Sequence, residues 1–137
     1  MSSTGQVHVE EIQAEDAWNL LAIDEGAALV DVRPDHVAEA DGAPDLAEID
    51  RPVLHVPWLG GQLPSMRAHF AVHLEAALAK TPATHLIFYA QTGPDAAEAA
   101  ESAAQALAHQ GQSIDISVVA PGADAESWRA ADLPWRS

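Results

Sequence analysis

The feature that most constrains this chain is the alternation of short, continuous apolar runs with longer stretches of helical spacing. Ala27 to Val32 (AALVDV), His85 to Ala90 (HLIFYA) and Ile114 to Val119 (IDISVV) are rich in β-branched and aromatic residues and have few polar breaks, as strands covered on both faces do. Between them, Ala14 to Ile23 carries Ala17, Trp18, Leu20 and Leu21 at helical spacing, and Leu63 to Lys80 carries Met66, Phe70, Leu74, Ala77 and Leu78 on one face. A third helix opens at Thr92-Gly93-Pro94-Asp95 and runs to about Gln110, with Gly111 where a C-terminal stop belongs. Two further strand-like runs surround Val7, Val9 and Ile12, and Val53 to Pro57. Residues 34 to 52 are acidic and interrupted by Pro and Gly, with room for helical turns near His36 to Ala40 and Leu46 to Ile49. Gly60-Gly61 and Pro121-Gly122 read as turns, the latter leading into a short helix around Ala125 to Ala131 that Pro134 follows.

Strands alternating with helices predict an α/β fold: a central, mostly parallel sheet of five strands with helices on both faces. Ligands of such sheets bind beyond the carboxyl ends of the strands. The segment leaving Tyr89-Ala90, where a buried strand turns into a helix start, is therefore the first place to seek a site.

Composition narrows the function. A chain of 137 residues, 48% hydrophobic, is expected to form one domain over residues 1–137. Six Lys and Arg against 21 Asp and Glu give a net charge of −15. That charge repels phosphate backbones and anionic headgroups, so neither nucleic acid nor membrane is expected as a partner. The acids are spread along the chain, as for solubility or a salty cytosol, and not gathered in one block. The absence of Cys excludes disulfides, thiolate metal sites and any cysteine nucleophile. A polar start, Met1 to Gln6, and the lack of a long apolar run lead to the expectation of a cytoplasmic location.

Other constellations are weaker. His69 and His73 are four residues apart on a predicted helix, with Glu75, His55 and His36 imaginable as further metal donors. Phe70 and Leu74 define that helix's buried face, so the two imidazoles are read as solvated residues along its edge, and neither a metal nor another cofactor is expected. No G-x-S-x-G occurs, and neither Ser65 nor Ser117 stands at a strand-to-helix elbow. Glu98, Glu101, Gln105 and His109 make a polar stripe opposite Ala99, Ala100, Ala103, Ala104 and Leu107. Of four tryptophans, Trp18 and Trp128 belong on apolar helix faces, Trp58 follows a strand end, and Trp135 lies near the C-terminus. Burial is the expectation for at least three.

Several signatures, in order and over roughly Val7 to Trp135, resemble a rhodanese-like domain. Leu29-Val30-Asp31-Val32-Arg33 resembles that family's Asp-Val-Arg strand, Leu86-Ile87-Phe88-Tyr89 its strand entering the active-site loop, and Gly111 the glycine closing the next helix. Pro121-Gly122, Glu126-Ser127-Trp128 and Leu133-Pro134 resemble its C-terminal turn, Trp and Leu-Pro. The resemblance implies a rhodanese-like α/β fold with a loop of the form C-x-x-G-x-R-(S/T), whose Cys carries sulfur as a persulfide. Here the loop reads Ala90-Gln91-Thr92-Gly93-Pro94-Asp95-Ala96, and only the Gly remains. Ala90 has no nucleophilic atom, Asp95 stands at the Arg position, Ala96 at the hydroxyl position, and Pro94 lacks an N–H. The family's G-H-I-P-G-A signature is also missing: the corresponding stretch is Asp41-Gly42-Ala43-Pro44 followed by acids, so residues 36–52 do not align position by position.

The expected protein is thus a catalytically inactive, rhodanese-like binding or regulatory module for another protein. Its vestigial loop, Gln91 to Ala96, with Trp58 beside it, would form the contact surface. Thr92 to Asp95 also fits a helix-capping box, in which Asp95 takes the place of a substrate anion at the helix start, contributing about 0.3–1 kcal/mol and repelling thiosulfate-like or phosphate-like ligands. Two alternatives are a sulfurtransferase using another nucleophile and a small-molecule-binding domain. Arg33 is expected to be a structural partner of a nearby carboxylate or carbonyl.

Overall fold

The computed structural model describes residues 9–33, 40, 42–58, 64–89, 93–109, 114–119 and 133–136. The elements follow the sequence alternation closely. They are β1 (Val9–Ile12), α1 (Ala14–Ile23), β2 (Ala27–Asp31), β3 (Ala43–Pro44), a 3₁₀ turn (Ala47–Ile49), β4 (Val53–His55), α2 (Pro64–Lys80), β5 (His85–Tyr89), α3 (Gly93–His109), β6 (Asp115–Val119) and β7 (Trp135–Arg136). The expected turns at Gly60-Gly61 and Pro121-Gly122, the helical turn at residues 36–40 apart from Ala40, and the helix around residues 125–131 lie outside the described residues. Among the described residues no helix is long and apolar enough to cross a membrane.

Five strands form one sheet in the order β1-β6-β5-β2-β4, and every pairing is parallel. All five residues of β2 are buried, because alternate side chains enter two different cores. Ala28, Val30 and Val32, with Leu86, Phe88, Ile116 and Val118, pack against Phe70 and Leu74 of α2 and the alanine face of α3. Ala27, Leu29, Ile87, Tyr89 and Val119 face the other way, onto Ala14, Ala17 and Leu21 of α1 and Leu46. The period of two in each strand thus matches the period of 3.6 in the helices on either side. Trp18 is partly buried on the α1 face.

One pairing has no counterpart in the sequence reading. β3 pairs antiparallel with β7, Ala43 opposite Arg136 and Pro44 opposite Trp135, and Asp45 N–H donates to the Pro134 carbonyl at 3.1 Å. This clip joins the segment after β2 to the C-terminal end of the described chain.

Candidate functional site

Asp31 ends β2 at the carboxyl edge of the sheet, and the chain leaves that strand through Val32 and Arg33. The Arg33 side chain is completely buried and that of Asp31 is 3% exposed. Arg33 Nε donates to Asp31 Oδ1 at 2.9 Å and Nη2 to Oδ2 at 2.8 Å, a two-pronged pair between residues i and i+2. The Arg33 amide also donates to Oδ1 at 3.1 Å. Nη2 reaches further, to the carbonyl of Gly42 at 2.7 Å, and Gly42 has φ 91°, where a side chain would be strained. The guanidinium carbon lies 5.2 Å from the centre of the Tyr89 ring, within cation–π range. At the end of β4, His55 Nε2 is 3.0 Å from the Arg33 carbonyl. A carbonyl only accepts, so this contact assigns the proton to Nε2. Arg33 is therefore the structural partner its sequence position implied, fixing β2, β5 and the Gly42 segment to one another.

Trp58 stands at the same edge, but it is 6% exposed and belongs to the core. This corrects its expected place on an open contact surface beside the loop. The cause is the β2–β4 ladder, which continues beyond β4 through Val56 N–H to the Asp31 carbonyl (3.1 Å) and Trp58 N–H to the Val32 carbonyl (2.8 Å). The alternation persists, so residue 58 points the same way as Leu54 and Val56. Its ring meets Phe70 edge-on, with centres 5.0 Å apart and planes at 83°. Near this pair is a cavity of about 310 Å³ lined by Pro57, Ser65, Met66, His69 and Phe70. Trp58 Nε1 has no hydrogen-bond partner among the described residues.

Of the vestigial loop, Ala90, Gln91 and Thr92 lie outside the described residues, and Gly93, Pro94, Asp95 and Ala96 are described only as the first turn of α3. That turn follows β5 after three residues, so the positive end of a 17-residue helix is at the carboxyl edge of the sheet. The capping box and the place of the Asp95 carboxylate fall outside what is described.

His69 and His73 are both exposed, and their ring centres are 4.2 Å apart with planes at 42°. Among the described residues no group of three or more His, Cys, Asp or Glu could hold a metal, so Glu75 and His55 do not join them; His36 lies outside. A different grouping escaped the sequence reading. His85 Nε2 is 2.8 Å from Ser117 Oγ, and His85 Nδ1 is 3.9 Å from Asp24 Oδ2. This is a Ser, His and Asp in line, but Ser117 is 3% exposed, in mid-strand, and the group lies near the amino edge of the sheet. Its work is structural: it ties the end of α1 to β5 and β6. Ser117 was its only sequence signal, a hydroxyl inside a strand buried on both faces, where a polar atom needs a partner.

No protein-family model matches the chain, and no curated protein matches it. Among solved structures, it is similar to Rv0390 from M. tuberculosis, with a TM-score of 0.67 and 27% identity over 95% of this chain and 98% of that one. It is also similar to the polysulfide-sulfur transferase homodimer from Wolinella succinogenes, with a TM-score of 0.59 and 20% identity over 93% of this chain and 77% of that one. The five-stranded parallel sheet, the helices on its two faces and these neighbours agree: the chain has a rhodanese-like fold.

Proposed function

We propose that this chain is a rhodanese-like domain without persulfide chemistry, acting in the cytoplasm as a binding partner that regulates or scaffolds another protein. The observation that carries the reading is the absence of cysteine from all 137 residues, with Ala90 at the position of the family's sulfur carrier. A methyl group cannot attack a sulfur donor, and Asp95 in place of Arg removes the cation that would hold the donor's charge. Asp95 is the third residue of α3, and negative charge near a helix start is favoured while a second anion there is repelled. Sulfur transfer is what the Wolinella neighbour's name describes; for this chain the scaffold supports recognition in its place.

The test is a thiocyanate assay with thiosulfate and cyanide. The unmodified chain gives no thiocyanate above background, and activity there would overturn the reading. The double variant Ala90→Cys, Asp95→Arg tests whether the scaffold still supports the chemistry, and turnover gained only by that pair would support the proposal. In an NMR titration with thiosulfate, sulfate and phosphate, the unmodified protein shows no sub-millimolar shifts centred on Gly93.

A second reading, small-molecule binding without turnover, is favoured by the cavity of about 310 Å³ at Pro57, Ser65, Met66, His69 and Phe70. That volume is at the lower end of ligand pockets. A metabolite that raised the melting temperature of the protein, and did so less with Met66→Trp filling the cavity, would support it.

A further inference from the structure

Two exposed imidazoles are in contact on α2, and apart from His69 at the rim of the cavity beside Phe70, neither the fold nor the proposed function uses them. His69 and His73 are four residues apart, so the helix stacks them on one face one turn apart. Their ring centres are 4.2 Å apart and their planes are tilted by 42°. Each directly precedes a buried anchor, Phe70 after His69 and Leu74 after His73, so the packing of α2 on the sheet fixes the helix face that carries both side chains. One metal cation between them would take a nitrogen lone pair from each ring. The other two described histidines with fixed partners are occupied: His55 on the Arg33 carbonyl and His85 on Ser117. A net charge of −15 further raises the local concentration of cations around the chain.

We propose that His69 and His73 chelate one divalent transition-metal ion of the nitrogen-preferring class, Zn²⁺, Ni²⁺ or Cu²⁺, with water completing its coordination. Imidazole selects these ions over Mg²⁺ and Ca²⁺, which prefer oxygen. Two fixed donors make this a reversible clip across one turn of α2, in contrast to a closed four-ligand structural site.

Isothermal titration of the full chain with ZnCl₂, and in parallel with MgCl₂, tests this. Zn²⁺ binds at one ion per chain with saturation below about 1 mM, Mg²⁺ gives no heat, and affinity rises from Ni²⁺ to Cu²⁺. His69→Gln and His73→Gln, both at exposed positions that leave the core intact, each weaken Zn²⁺ roughly tenfold or more. Glu75→Gln leaves it unchanged. In the unmodified protein the ring resonances of the two histidines shift in the same titration step. Zn²⁺ binding that survives His69→Gln combined with His73→Gln would overturn the proposal, as would no binding by the unmodified chain at about 1 mM.

Discussion

Asp31 and Arg33 are separated by a single residue, yet each is the other's principal partner, and both are removed from water. A buried pair of this kind is a weak source of net stability but costs a great deal to break, because the survivor is left charged and uncompensated. Asp31→Ala should therefore destabilise the protein by about 3–5 kcal/mol, read as a lower urea midpoint at unchanged slope; a loss below about 1 kcal/mol would mean that the guanidinium finds water once its partner is gone. Gly26 offers a second test. A Cβ built there would collide with Thr84 Oγ1 and lie 3.4 Å from Asp24 Oδ1. The Gly26 carbonyl also accepts from the amides of Thr84 (2.8 Å) and His85 (3.2 Å), so the backbone has little room to move. Gly26→Ala is expected to cost about 1–3 kcal/mol, and most of that should return when Thr84→Ala is added. An equal cost in both backgrounds would place the strain elsewhere.

Among the elements, α3 was the most legible in the sequence. Its alanines announce a close approach to the sheet, and Ala99, Ala100, Ala103 and Leu107 are wholly buried while Glu98, Glu101 and Gln105 are exposed. Ala103→Leu forces extra volume into that contact and should lower stability by about 1–3 kcal/mol, whereas Glu101→Gln should change it by no more than about 0.5 kcal/mol. Chemical denaturation of the two variants checks both. The main helices and buried strands could be placed within a few residues, because apolar spacing and turn residues mark their ends. The β3–β7 clip could not, since two residues carry no periodicity and their partner lies far along the chain. Trp58 was misread for a related reason: a proline before it suggested that the strand had ended, but Trp58 N–H still donates to Val32 and the alternation carries the indole inward. The His85–Ser117 contact likewise depends on β5 and β6 being neighbours, which no local pattern reveals. Ser117→Ala should cost about 1 kcal/mol, the ordinary worth of one such hydrogen bond, again measured by denaturation.

For the whole molecule, the alternation of elements disclosed a parallel sheet with two covered faces but not the order in which its strands lie. The helix start after β5 was legible too, at the carboxyl edge where ligands of parallel sheets bind. The hydrogen bonds that tie Arg33 to Asp31 and Gly42 emerged only in three dimensions. Strand order has a further consequence. Among the described residues β1 joins the sheet through β6 alone, with Val9 opposite Ile116 and Ile12 opposite Val119, so β1 has no strand partner until β6, which follows every other strand of that sheet in the chain, has been made. Until then the β6-facing backbone of Val9–Ile12 must be guarded by water or by a chaperone. With every ladder joining distant parts of the chain, unassisted refolding should take milliseconds to seconds, and stopped-flow fluorescence would show whether it does.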